Sequence, residues 1–341
     1  MRSLPFDCGV GICCVWVVAG FFLDAWAHGH VPIETFFTPY HAVFYAGMLA
    51  LLAIVAAFMF RNRLRGAPWS EAVPQPYRIA LLGFPIFAVA GLGDFLWHRL
   101  LGLEVGVDAL LSPTHQALGL GMFFLASGPI RSVLAERDAR AGFLRQFPML
   151  CGLVAWYGLV HFGTAYAFDP GAARADAPPP IAFSPNYLTA LALGYYKVSI
   201  GVLVVIFQAV LTSGFALWTV SRVRPAPGFF TLLYLCANTM AAAPFTNQTP
   251  LLAVTLVASL ATGVVADLLA GRMDPQPTRP AAYRWFAVLV PMTYAGVSLA
   301  VTALVAGVWW DWNVALGAWC WSGVAGLGLS LVSLARREGT S

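Results

Sequence analysis

Two stretches of the chain, residues 21–47 and 91–121, contain five of its six histidines. Each stretch has an Asp, a His four positions later, and a second His after a longer interval. The six residues are Asp24, His28 and His41 in the first stretch and Asp94, His98 and His115 in the second. One carboxylate and two imidazoles are donors that copper, zinc and iron all accept, so the donor set alone does not choose among these metals. The pattern predicts a pair of metal sites.

The two stretches also align as an internal repeat. The aligned pairs are Asp24 with Asp94, His28 with His98, Glu34 with Asp108, Pro39 with Pro113, and His41 with His115. A single Asp and His at a helix end is usually explained by capping or by an ion pair. Repetition of the whole arrangement favours a functional explanation over a structural one. A proton relay or ion pathway that uses the carboxylates is the functional alternative to metal binding.

Local sequence predicts how each set is positioned. Residues four apart project from the same face of a helix, so each Asp and its first His point in one direction. The dipeptides Thr38-Pro39 and Ser112-Pro113 predict a helix N-cap followed by proline at the first helical position. The second His of each set then lies in the first turn, where the helix dipole disfavours protonation. A neutral imidazole is the form that binds a metal.

Three further residues are candidates for an accessory role. Glu34 and Asp108 each lie seven positions before the second His of their stretch, so each is a candidate fourth ligand or a hydrogen-bond partner of a ligand. His30 lies in the predicted loop between the first two helices and is a candidate to assist the first site.

The elements that carry these residues are predicted to cross a membrane. The chain has 341 residues, of which 60% are hydrophobic and 10% are charged, and its mean hydropathy is +0.75. Soluble domains usually contain about 25% charged residues. We therefore expect an all-α polytopic bundle in a lipid bilayer, with two helical hairpins as its N-terminal repeat and no role in nucleic-acid binding. The ten predicted spans are 9–28, 41–60, 79–98, 115–134, 148–168, 188–220, 228–245, 250–270, 284–308 and 314–335.

The basic residues predict an orientation. Of 19 Lys and Arg residues, 16 fall in connections on one side of the predicted spans, which the positive-inside rule assigns to the cytoplasm. Both termini are then cytoplasmic, and the Asp/His/His sets lie toward the outer face of what we expect to be a bacterial inner membrane. Ala25-x-Ala27 imitates a signal-peptide cleavage site, but cleavage there would remove Asp24, so we expect the first helix to be retained.

The first set resembles the C subunit of the copper membrane monooxygenases, which include the particulate methane and ammonia monooxygenases. Asp24 and His28, the twelve residues that follow, and His41 match that family's D-x3-H-x12-H pattern, and residues 37–47, FTPYHAVFYAG, match the stretch around its last His. The resemblance implies that these three residues bind copper. It also implies O₂-dependent hydroxylation of a small apolar substrate or ammonia, within an assembly of several subunits.

The second set corresponds to another metal site of that family, in which an Asn-x3-His pattern is followed by a later His. Here Asp94 replaces the Asn, and the interval from His98 to His115 is a few residues longer than the corresponding interval in that family. The resemblance covers residues 17–130. We therefore divide the chain into a monooxygenase-like metal-binding region of four helices, residues 1–140, and additional transmembrane helices of unknown role, residues 141–341.

Several functions are compatible with these residues. The preferred hypothesis is a copper protein that oxidises a small molecule, acting with other monooxygenase subunits or as a homo-oligomer. The alternative is a membrane transporter or metal-handling permease that uses the same side chains as a transient binding site. A scaffold with a structural metal and a di-iron or di-manganese oxidase are the remaining hypotheses.

Overall fold

The protein is an all-α membrane protein, as its sequence predicts. The computed structural model describes residues 3–31, 36–102, 107–136, 142–165, 173–175, 186–242 and 249–338. Within these ranges, nine helices are long and apolar enough to cross a membrane. The chain forms two compact units, Met1–Tyr166 and Ala167–Ser341.

The first unit contains the two predicted hairpins and one further helix. Its helices are α1 (Leu4–His30), α2 (Pro39–Leu64), α3 (Gly83–Leu101), α4 (Val107–Leu111), α5 (Pro113–Leu134) and α6 (Phe143–Gly163), with three short 3-10 helices at Trp69–Glu71, Gln75–Tyr77 and Ala80–Leu82. Helix α1 packs against α2, α5 and α6, and α3 packs against α5. The unit therefore includes α6, which lies beyond the four-helix region predicted for residues 1–140.

Small residues allow the helices that carry the Asp/His/His sets to approach closely. A β-carbon at Gly20 of α1 would come within 2.6 Å of the β-carbon of Phe44 on α2. Gly83 of α3 and Gly121 of α5 each lie against the other's carbonyl oxygen. Close contact between small residues is a common basis of helix association in lipid. These contacts fix the pairing of α1 with α2 and of α3 with α5.

A buried carboxylate joins three elements at the other end of α1. Asp7 is 1% exposed and accepts hydrogen bonds from the Tyr77 hydroxyl at 2.7 Å and from Ser132 Oγ at 2.8 Å. A buried carboxylate is costly unless donors surround it, so these two hydroxyls stabilise the association of α1 with α5 and with the connection between α2 and α3. The sequence pattern did not single out Asp7.

The second unit contains five helices, α7 (Tyr187–Val220), α8 (Phe229–Ala242), α9 (Thr249–Met273), α10 (Pro280–Val305) and α11 (Trp312–Glu338). Helix α7 has 34 residues and is about 51 Å long, which exceeds a hydrocarbon core of roughly 30 Å. Helix α8 has 14 residues. It lies within the predicted span 228–245, and residues 243–248 are outside the described ranges.

Proline at position 291 interrupts the hydrogen bonds of α10 without ending the helix. Its nitrogen has no hydrogen, so it cannot donate to the carbonyl of Ala287. Ser213 Oγ of α7 donates to that carbonyl instead, at 3.0 Å. Gly326 of α11 lies against the same carbonyl oxygen, and a β-carbon at this position would overlap it. Three helices therefore meet at one backbone carbonyl.

This contact predicts different effects for two glycines of α11. We expect Gly326→Ala to destabilise the protein by about 1–3 kcal/mol through overpacking, lowering its unfolding temperature by roughly 2–12 °C. Gly328→Ala is the matched control, because a β-carbon there meets no other atom within 4 Å and alanine favours the helix by about 0.5–1 kcal/mol. Thermal unfolding of both variants in detergent tests the contact, and equal unfolding temperatures would contradict it.

Candidate metal centres

The end of α1 and the start of α2 bring the first set together. Asp24 Oδ2 lies 3.5 Å from His28 Nε2, and Asp24 Oδ1 lies 3.4 Å from His41 Nδ1. One donor atom from each of the three residues lies within 4.8 Å of the others. We call this set the first centre. A single metal ion placed among these atoms would be within reach of all three.

The first centre is organised by the helix cap that the sequence predicts. Thr38 is the N-cap of α2, and its Oγ1 accepts the backbone N–H of His41 at 3.1 Å. The same oxygen lies 2.9 Å from His41 Nδ1, which orients the ring. Asp24 Oδ1 is buried and has no hydrogen-bond partner among the described residues. A buried carboxylate oxygen in this state is stabilised by a cation, so the donor set fits a metal.

The second set, which we call the second centre, forms in the same way from the end of α3 and the start of α5. Asp94 Oδ1 lies 3.5 Å from His98 Nε2 and 3.0 Å from His115 Nε2. Its three donor atoms also lie within 4.8 Å of one another. The side chain of Asp94 is 1% exposed, whereas that of Asp24 is 15% exposed. The second centre is therefore built around the more deeply buried carboxylate.

Backbone carbonyls determine which imidazole nitrogen faces the second centre. His98 Nδ1 lies 3.3 Å from the Gly102 carbonyl oxygen, and His115 Nδ1 lies 2.6 Å from that of Ala109. A carbonyl only accepts, so we assign the hydrogen to Nδ1 in both rings, and Nε2 of the neutral ring then carries a lone pair. Both lone pairs face the carboxylate of Asp94. Lone pairs and a carboxylate repel one another, so this arrangement is favourable only when a proton or a metal cation lies between the imidazole nitrogens and the carboxylate.

Two hydroxyls fix the carboxylate of the second centre. Thr114 donates to Asp94 Oδ1 at 2.8 Å, and the Thr114 and Ser112 hydroxyls lie 2.9 Å apart. Ser112 occupies the N-cap position of α5, as predicted, but its side chain makes no capping hydrogen bond. Its hydroxyl is paired with Thr114 instead. The two centres therefore differ in which hydroxyl group supports them.

The two accessory candidates within the described residues, Asp108 and His30, do not join either centre. Glu34 lies outside the described residues. Asp108 is exposed on α4, and the residue next to it, Ala109, contributes its carbonyl to the second centre. His30 is exposed; its Nδ1 lies 2.8 Å from the Trp26 carbonyl oxygen, and its ring stacks on the Trp26 indole. The Ala109 carbonyl was missed because a backbone carbonyl that orients a side chain has no signature in residue type.

An aromatic cluster lies between the centres. The ring of Phe36 is 4.8 Å from that of His41 in the first centre and 6.1 Å from that of His98 in the second. Phe95 and Tyr45 pack around Phe36, with ring centroids 5.4 Å and 6.2 Å away. The two centres therefore share an apolar wall that restricts water on that side.

The hydroxyl of Thr114 gives a test of the second centre. We expect Thr114→Val to weaken metal binding there by about 10–100-fold, because the carboxylate loses the donor that orients it. The measurement is metal titration of Thr114→Val made in a His28→Ala background, so that only the second centre is counted, with His28→Ala alone as the control. Equal affinities in the two proteins would show that Thr114 does not support a metal ligand.

No protein-family model matches the chain, and comparisons with curated proteins and with solved structures find no match either. The geometry of the two centres is therefore the basis for any functional assignment.

Proposed function

We propose that this protein binds copper at its two Asp/His/His centres and uses it to oxidise a small apolar substrate or ammonia with O₂. The observation that carries the proposal is that two separate sets, each of one carboxylate and two imidazoles, have their donor atoms within 4.8 Å. Ionisable groups are costly inside a membrane protein and usually mark functional sites. Two sets built alike on consecutive hairpins support a common role in binding metal.

Three arguments favour a metal, and copper in particular. Asp24 Oδ1 and His98 Nε2 are buried donor atoms without a hydrogen-bond partner among the described residues, which fits coordination to a cation. At nitrogen and oxygen donors, Cu²⁺ binds more tightly than Fe²⁺ or Zn²⁺. The stretch 37–47 resembles the copper-binding segment of the copper membrane monooxygenases.

The chain's own residues would create the conditions that such chemistry needs. Three protein ligands leave a coordination position open for a small molecule, and bound copper supplies one-electron chemistry with O₂. The carboxylates of Asp24 and Asp94 offset part of the metal's charge. Phe36 and Phe95 restrict water on the side where the centres adjoin. A site in a membrane-spanning unit is also accessible to apolar molecules dissolved in lipid.

The arrangement of charges supports an orientation. The centres lie at the ends of α1 and α3, whereas Arg61 and Arg63 lie at the far end of α2 and Arg131 at the far end of α5. We place the arginine-rich end and both termini in the cytoplasm and the centres toward the outer face of a bacterial inner membrane. Association with other monooxygenase subunits, or with a second copy of the chain, is proposed from the resemblance alone.

Metal content tests the binding step. We expect the purified protein in lipid nanodiscs to hold two copper ions per chain. His28→Ala and His98→Ala should each lose about one, because each removes one of the three ligands that the described residues offer to its centre. Elemental analysis gives the stoichiometry, and electron paramagnetic resonance identifies Cu²⁺.

His30→Ala is the matched control for metal content, since His30 is exposed and bonded to a backbone carbonyl rather than to a centre. It should retain both ions. Unchanged metal content in both ligand variants would end the proposal. Stoichiometric iron or zinc in place of copper would refute the copper assignment while retaining the sites.

Oxygen consumption distinguishes oxidation from transport. With an added reductant and a small hydrocarbon or ammonia, we expect the copper-loaded protein to consume O₂ and His28→Ala to consume it at least about 10²-fold more slowly, because the copper that reacts with O₂ is lost. An oxygen electrode gives the rate, and His30→Ala should match the unmodified protein. Copper accumulation in proteoliposomes that His28→Ala abolishes, without O₂ consumption, would replace the oxidase with a permease.

A further inference from the structure

The second unit contains a cavity of about 70 Å³ between α7, α9 and α10. Six of its ten lining residues are apolar and four carry hydrogen-bonding groups, namely Gln208, Thr255, Tyr294 and Ser298. None of the ten carries a formal charge. A cavity of about 150 Å³ accommodates the six carbon atoms of benzene, so this one has room for a molecule of about three non-hydrogen atoms.

The polar groups of the cavity are held in place by neighbouring helices. Gln208 of α7 is 3% exposed, and its Nε2 donates to Asn238 Oδ1 of α8 at 3.3 Å. Asn238 Nδ2 in turn donates to Ser259 Oγ of α9 at 2.9 Å. Buried polar networks of this kind are rigid when their members are bonded to one another. The Gln208 amide therefore has a fixed orientation at the cavity wall.

Two hydroxyls add hydrogen-bonding capacity to the lining. The Thr255 hydroxyl donates its hydrogen to the Leu251 carbonyl at 2.9 Å, so its oxygen presents a lone pair as an acceptor. The Ser298 hydroxyl makes no hydrogen bond within the described part of the chain, and Ser298 is only partly buried. The cavity can therefore both accept a hydrogen bond from a ligand and donate one to it.

The backbone hydrogen bonds of α10 are interrupted beside the cavity, and a side chain of another helix replaces the missing donor. Pro291 lines the cavity, and the carbonyl that it leaves without an intrahelical donor is bonded by Ser213 from outside α10. Interrupted helices inside membrane proteins are tolerated where the freed backbone group is bonded again, and they often border binding sites. The cavity thus borders an interruption in α10 at which the freed carbonyl, that of Ala287, is still hydrogen-bonded.

We propose that this cavity binds a small uncharged molecule of at most about three non-hydrogen atoms that carries one hydroxyl group. An ion would lose its hydration without meeting an opposite charge, which excludes charged ligands. The apolar lining contacts the ligand's carbon atoms, and the Thr255 and Ser298 hydroxyls bond its polar group. The site involves no residue of the two metal centres.

The test uses carbon-13-labelled ethanol, which has three non-hydrogen atoms, with carbon NMR of the full-length protein in lipid nanodiscs. We expect saturable line broadening beyond the linear partitioning measured with empty nanodiscs. Thr255→Val should weaken binding about threefold to tenfold, the effect of losing one hydrogen bond. Thr262→Val is the matched control, because that buried hydroxyl is also bonded to a carbonyl four residues earlier on α9 but does not line the cavity.

Two further measurements decide the outcome. Ala209→Leu adds three carbon atoms at the cavity wall and should abolish saturable binding. If Ala209→Leu fails to fold, Ser298→Ala takes its place as the test variant. This substitution is at a partly buried position and should weaken binding about threefold to tenfold. Equal broadening in the unmodified protein and these variants would overturn the proposal, as would equal affinity for carbon-13-labelled propane, which has the same number of non-hydrogen atoms and lacks the hydroxyl. His28→Ala should bind ethanol with unchanged affinity, which separates this site from the metal centres.

Discussion

A carboxylate inside a membrane protein is stable only when donors or positive charge surround it, and the first unit meets this constraint in three ways. Asp7 accepts hydrogen bonds from the hydroxyls of Tyr77 and Ser132. Asp94 accepts a hydrogen bond from the Thr114 hydroxyl and faces two imidazole nitrogens to which we assign lone pairs. Asp24 faces imidazoles, and its Oδ1 has no hydrogen-bond partner among the described residues. The three carboxylates therefore differ in the groups that surround them, although all three residues are of the same type.

The two centres share a plan but differ in their surroundings. The longer connection in the second hairpin contains α4, and the carbonyl of Ala109 on that helix orients His115. The first hairpin uses the Thr38 hydroxyl to orient His41. The carboxylate of the second centre is also less exposed than that of the first. The two centres thus share residue types but differ in the nitrogen that the second His directs at the carboxylate, Nδ1 of His41 and Nε2 of His115, and in the groups that orient the ring, which allows them to differ in affinity and in accessibility.

Sequence patterns predicted the features that depend on local geometry. The four-residue spacing of Asp24 and His28 placed both on one face, and Thr38 caps α2 as its position before proline predicts. The position of Ser112 at the N-cap of α5 was predicted correctly, but its side chain makes no capping hydrogen bond, because its hydroxyl is paired with that of Thr114. Features that depend on distant segments had no local signature. They include the packing of α6 against the first two hairpins, the hydroxyls around Asp7 and the cavity beside Pro291.

Helix α1 carries Asp7 near its beginning and Asp24 near its end, about 25 Å apart along the axis. Hydrogen bonds from two other elements hold Asp7, so they set the rotation and the axial height of the whole helix. A slip of one residue would turn Asp24 by about 100° and point it away from His41. The alignment of the first centre is therefore governed in part from the opposite end of α1, so a disturbance among the hydroxyl groups around Asp7 would displace the candidate metal ligands about 25 Å away.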